Sequence, residues 1–181
     1  MKDLSLHILD ILQNSISAEA SLIQLHIEED LSKDKYLIRF IDNGKGMNDE
    51  MLAKVADPFT TTRTTRKVGL GLPLIKQNAE RTGGYVSISS QTGKGTEVEV
   101  LFNPQNIDML PTGDLAGTIS LTFTSHPEIE FIYTHTTPTG QFELNTKEIK
   151  KTLGTVPINT PQVVLFIKEL IEENLKEINA R

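Results

Sequence analysis

The sequence predicts an α/β chain built as a two-layer α+β sandwich, and three observations carry that prediction. Apolar residues recur at helical spacing near the N-terminus, β-rich alternating segments come in pairs, and a strand, a glycine turn and a helix follow one another in order. With 181 residues, 38% hydrophobic and 23% charged, the chain has enough apolar material for a core of ordinary size.

Leu4, Ile8, Ile11, Leu12 and Ile16 fall at spacings of three to four and define a helix with one apolar face. Residues 22–27 and 36–41 are β-rich and partly alternating, and the polar stretch 30–34 between them can turn, so they read as an antiparallel pair. Asp42-Asn43-Gly44-Lys45-Gly46-Met47 breaks the second strand, and residues 48–54 resume helical spacing behind a capping residue. Residues 57–67, rich in threonine and arginine and without a period, read as a mobile loop. Leu72, Leu74, Ile75 and Ala79 mark a further helix that stops at Gly83 and Gly84. Residues 85–89 and 97–102 then form strands about the turn at Gly93 and Gly95.

Composition shifts at Asn103 and Pro104, which divides the chain into a domain over 1–103, a linker over 104–117 and a small α/β C-terminal unit over 118–181. In that unit residues 118–124, 128–134 and 141–144 alternate like short strands. Pro161 opens the last helix with Thr160 as its cap, and Val163, Val164, Ile167, Leu170, Ile171, Leu175 and Ile178 form its apolar face.

Composition also narrows function. The net charge of -6 argues against a nucleic-acid partner, which a basic stripe would accompany. No apolar run approaches the roughly 20 residues needed to span a bilayer, and the N-terminus begins no secretory signal, so a cytoplasmic location is expected. Without cysteine there is no disulfide frame and no thiolate nucleophile.

The candidate chemistry begins with Asp10 and Asn14, one helical turn apart and on one face. A carboxylate and an amide oxygen are hard donors suited to Mg²⁺ or to orienting water, although such pairs also occur on solvated helix faces. Asp42 stands at a strand end, where a carboxylate can accept the exocyclic amino proton of adenine; the same motif could be a hairpin turn. Gly69-Leu70-Gly71-Leu72 opens a helix, whose free backbone N–H groups can meet phosphate oxygens. The informative feature is the order of all these pieces, closed by Gly93-Lys94-Gly95-Thr96 before a final strand.

On those motifs, residues 4–102 resemble the ATP-binding domain of the gyrase, chaperone, histidine-kinase and mismatch-repair ATPase superfamily, whose α/β sandwich is called the Bergerat fold. The half from Asp57-Pro58-Phe59-Thr60-Thr61 onward is similar to histidine kinases, and the half containing Asp10, Asn14 and Asp42 is closer to mismatch-repair ATPases. The resemblance implies ATP and Mg²⁺ as cofactors. It implies that Asn14 ligates Mg²⁺ and that Asp42 reads adenine with help from Thr96. Gly44, Gly46, Gly69 and Gly71 would shape the pocket, with Met47, Phe59, Thr60, Thr61, Leu70 and Leu72 against the nucleotide and residues 60–68 as a lid. Ser17 stands where many histidine kinases place a lysine or tyrosine, so Arg63, Arg66 and Lys67 would supply the positive charge. Asp10 takes the place of a glutamate base and is one methylene shorter. His7, one turn before Asp10, reads as structural or exposed, and His26, His126 and His135 lack metal-ligand spacing.

Three functions follow from the resemblance. The first is a stand-alone protein kinase, histidine-kinase-like or like the anti-sigma serine kinases, acting on a regulatory partner protein in trans, since no sensor, membrane segment or phosphoacceptor hairpin is seen. The second is a nucleotide-gated interaction module with slow or no turnover, whose C-terminal unit would be a partner dock or a homodimer surface. A mismatch-repair role ranks third, because the acidic balance and the missing transducer domain argue against it.

Overall fold

The computed structural model describes residues 2–56 and 71–181. Its first helix, α1 (Leu4–Ser17), is capped by Asp3, whose carboxylate accepts from Leu6 N at 3.0 Å and from Ser5 Oγ at 2.8 Å. Two further amides of that first turn, Leu4 N and Ser5 N, donate to the carbonyls of Pro111 and Thr112 at 2.9 Å. The stretch expected to be a linker is thus fastened to the start of α1, and it satisfies N–H groups that a helix leaves open.

The strands are β1 (Leu22–Asp30), β2 (Lys35–Asp42), β3 (Tyr85–Gln91), β4 (Gly95–Phe102), β5 (Glu130–Thr137) and β6 (Gly140–Asn145). They form one six-stranded sheet in the order β3-β4-β2-β1-β5-β6. β1 and β2 are antiparallel, as expected, with β4 antiparallel to β2 and β3 antiparallel to β4. Period-two patterning gives the sheet one buried face, carrying Ile23, Leu25 and Ile27 on β1, Tyr36, Ile38 and Phe40 on β2, and Phe131 and Tyr133 on β5. The opposite face carries His26, Arg39, Glu97 and Glu99, with Arg39 Nη2 donating to Glu99 at 2.9 Å.

The helices beyond α1 are α2 (Asp49–Ala56), α3 (Gly71–Arg81), α4 (Leu115–Ser125), α5 (Thr146–Leu153) and α6 (Pro161–Glu177). A single apolar cluster joins α1, α3, α4 and α6 to the buried face of the sheet. The α+β two-layer sandwich is therefore present, and it includes the strands of the expected C-terminal unit. β5 runs parallel to β1 from Leu22↔Glu130 to Glu28↔Thr136, and β6 pairs with β5 at the edge.

Residues 118–124, expected as a strand, lie within helix α4, which begins at Leu115 inside the expected linker. Asp114 caps it by accepting from Gly117 N at 2.8 Å. Its hydroxyls turn back onto the helix, Thr122 Oγ1 donating to Thr118 O and Thr124 Oγ1 to Ser120 O, both at 2.7 Å. Leu115, Ile119 and Phe123 recur every four residues and are buried, and this helical period outweighs the β-preference of the threonines. Helix α5 has no counterpart among the sequence expectations; Asn145 caps it by accepting from Lys147 N at 3.0 Å. Thr160 does stand at the N-cap of α6 with Pro161 after it, but its side chain makes no capping hydrogen bond.

Candidate nucleotide site

Asp42 closes β2 and pairs in register with Ile23 and Thr96. The pleat turns its side chain toward α1, where Ser15, itself 4% exposed, donates Oγ–H to Oδ2 at 2.7 Å. The other oxygen, Oδ1, accepts from Gly44 N at 2.9 Å and from Thr96 N at 3.3 Å. The carboxylate is 9% exposed and held from three sides, and Oδ2, with one protein donor, keeps a lone pair for another.

The loop after Asp42 is strapped to its surroundings. Lys45 N donates to Ala18 O at 2.9 Å, and a Cβ on Gly44 would lie 2.7 Å from that same carbonyl. Gly46 has φ +63, and a Cβ there would meet the Gln91 carbonyl at 2.0 Å. Both glycines therefore answer first to close packing within the protein. Asn43 Oδ1 accepts from Ser21 N and Leu22 N at 2.9 Å, which pins the loop to the start of β1. Ser90 Oγ accepts from Met47 N at 2.8 Å and lies 2.9 Å from Thr96 Oγ1, so Met47 and Thr96 are joined through β3.

The second part of the site lies farther back along α1. Asp10 and Asn14 share a helix face and are both partly exposed. Gly71, the first residue of α3, packs so tightly on Asp10 that a Cβ would lie 2.3 Å from Oδ2. The start of α3 and the Asp10 carboxylate thus meet. Ser15 and Asp10 lie about 7.5 Å apart along the axis of α1.

Among the described residues no group of three or more His, Asp or Glu could hold a metal ion unaided. A single amide oxygen such as Asn14 nevertheless fits Mg²⁺, which takes few protein ligands and fills its shell with phosphate oxygens and water.

Asp10, Asn14, Asp42, Gly44, Gly46, Met47, Gly71 and Thr96 are thus arranged around one end of β2 and one face of α1. Leu72 lines an apolar recess with Leu52, Val55, Pro73, Val86 and Ile88. Phe59, Thr60, Thr61, Arg63, Lys67, Gly69 and Leu70, with the rest of the expected lid, lie outside the described residues. Sequence reasoning missed Ser15, Asn43 and Ser90; the one available signal for Ser15 was its place directly after Asn14 on the buried side of the helix. His7 is buried on α1, whereas His126 Nδ1 lies 3.1 Å from Thr122 O. No helix among the described residues is long and apolar enough to cross a membrane.

Comparison with known proteins gives the fold and the family. The N-terminal domain of a DNA repair protein superposes with a TM-score of 0.54 at 19% identity, covering 87% of this chain and 59% of that one, and shares the fold. Sporulation kinase D of Bacillus subtilis is 32% identical over 93 residues, which are 51% of this chain and 18% of the kinase. Sensor kinase CckA of Brucella abortus is 32% identical over 90 residues, 49% of this chain and 9% of that protein. The chain therefore spans less than a fifth of the length of either kinase. Residues 2–106 match the family described as histidine kinase-, DNA gyrase B-, and HSP90-like ATPase, and the chain belongs to that family.

Proposed function

We infer that the chain binds ATP with Mg²⁺ and passes the γ-phosphoryl group to a partner protein. The observation that carries the binding half is the Asp42 carboxylate, fixed by Ser15, Gly44 and Thr96 with a lone pair left for the adenine amino group. The contact of Gly71 with Asp10 supports the transfer half, because it sets a helix N-terminus beside a carboxylate. Asn14 would hold Mg²⁺, which when bound neutralises phosphate charge. Asp10 takes the proton of the attacking hydroxyl and releases it to solvent; the new O–P bond forms as the bond to the leaving ADP oxygen breaks.

Two variants test these roles. Asp10→Asn is expected to retain nucleotide binding and lower turnover by about 10²–10⁴-fold. Asn14→Ala should weaken the magnesium-dependent part of binding as well as turnover. Wild-type protein that binds ATP but neither hydrolyses it nor labels any partner with γ-labelled phosphate would remove Asp10 as a base. The module reading would then take its place, and it has its own support. Leu121 on α4 and Leu165 and Phe166 on α6 are 56–60% exposed, an apolar surface suited to a partner.

A further inference from the structure

The interface between α1 and α3 holds a polar pair that the chemistry above does not use. His7 is completely buried at 0% exposure, and its Nε2 lies 2.9 Å from the amide nitrogen of Asn78. Its Nδ1 is buried without a partner. Ile8 and Ile11 on α1 and Ile75 and Ala79 on α3 are apolar and at most 2% exposed, and the Asp10 and Asp3 carboxylates also act on the ring. With the amide N–H as donor, Nε2 must accept, so the ring is neutral and its proton sits on the orphaned Nδ1. Burial pushes the His7 pKa below the ordinary histidine value, in keeping with a neutral ring.

Such a pair does little for stability. The orphaned Nδ1 is destabilising, Asn78 is only half-buried, and replacing both partners of such a hydrogen bond by apolar groups is often nearly neutral. What the pair provides is direction, because apolar surfaces tolerate repacking whereas one hydrogen bond selects a single register. That register matters at the start of α3. Gly71 lies about 10.5 Å along α3 from Asn78, and Asp10 lies one turn beyond His7 on α1. The Gly71–Asp10 contact leaves no room for even a methyl group, so a small slide of one helix along the other would open or close it.

We propose that His7 and Asn78 are positioning residues, which register the first turn of α3 against Asp10 and Asn14 and so set where that turn meets the nucleotide phosphates. Adenine recognition, held by Ser15 and Asp42, does not depend on them. The proposal rests on the nucleotide reading above, and its test separates the two.

His7→Leu, Asn78→Leu and the double variant are compared with wild type in the full chain. Affinities for a non-hydrolysable ATP analogue with Mg²⁺ and for adenosine are measured by NMR titration, together with melting temperature. Hydrogen exchange is followed at the Ile75 and Lys76 amides, which close the first turn of α3. The double variant is expected to melt at or above the wild-type temperature and to bind adenosine within about twofold of wild type, yet to bind the ATP analogue roughly 3- to 10-fold more weakly. Its Ile75 and Lys76 amides should exchange faster, and His7→Gln, which can still bond Asn78, should recover most of the lost affinity. An unchanged ratio of the two affinities with unchanged exchange would overturn the proposal. So would equal loss of both ligands with a lowered melting temperature, the signature of a purely structural pair. If wild type binds neither ligand, the nucleotide reading falls and exchange alone decides: faster exchange upholds the register, and unaltered exchange overturns it.

Discussion

Two buried carboxylates stand at opposite ends of the β1–β2 pair, and only one of them faces a candidate site. Asp42 is 9% exposed and Glu29 is 4% exposed, about 20 Å apart along the strands. Glu29 Oε1 lies 2.8 Å from His135 Nε2 and accepts from Arg181 N at 3.0 Å, while His135 Nδ1 lies 2.6 Å from Tyr133 Oη. Burial pushes the phenols of Tyr36 and Tyr133 up, and the neighbouring Glu29 adds to the effect, so both stay neutral. This end of the sheet is sealed by its own side chains. Asp42 is instead held by a helix serine and two backbone amides, beside a loop whose glycines pack against backbone. Burial and hydrogen bonding do not by themselves mark a site. What separates the two carboxylates is that the Asp42 end brings glycines packed against backbone, the start of helix α3 and the partly exposed Asp10 carboxylate to one side.

The largest expected effect breaks the sealed end. Glu29→Ala leaves the buried His135 ring and the part-buried Arg181 amide without their acceptor and opens a cavity, and should lower stability by about 2–4 kcal/mol in urea unfolding. ATP affinity extrapolated to the folded population should be unchanged. Asp42→Asn should do the reverse, weakening ATP by about 1.5–3 kcal/mol through loss of an ionised acceptor. Its cost in stability should be smaller, because the Ser15 hydroxyl can rotate to accept from the new amide. Calorimetry giving equal ATP losses for both variants would mean that the two ends are not functionally distinct.

The contrast also shows what a single sequence can reveal. The helix α1 and the strands β1 and β2 were legible because one face of each is buried and the period shows it, as with Leu4, Ile8, Ile11 and Leu12. Asp42 and Gly44 were legible because a strand end followed by glycines is a local signal. Ser15, Asn43 and Ser90 were not, since their value comes from partners such as Asp42, Leu22 and Met47 on other elements. The same limit hid the Glu29–His135 pair, which a parallel strand pairing brings together across more than half the chain. Residues 118–124 misled for a local reason, because β-branched threonines sit on a helix that buries Ile119 and Phe123.

The smallest expected effect concerns acid, and it should reach the two ends in a set order. His7 lies one turn before Asp10 on α1, and burial holds its pKa below 6.5. The folded ring is neutral where the unfolded ring would take a proton, so its contribution to stability is full above pH 6.5 and is lost as pH falls below that value. His26, pushed down by burial and then by Arg39, acts in the same window from the open face of the sheet. Asp30, next to Glu29, is lowered to about 2, first by the Ser32 hydroxyl and then by Lys33. Its contribution is full above 3.8 and lost only as pH falls from 3.8 toward 2. Urea unfolding between pH 7.5 and 3 should therefore show a first decline below pH 6.5. That decline should be reduced in His7→Leu and reduced further when His26→Leu is added. Asp30→Asn should leave the first decline intact and flatten the second. If both histidine substitutions keep the wild-type slope between pH 6.5 and 5, the acid sensitivity originates elsewhere, and the Asp42 end is not the first to yield.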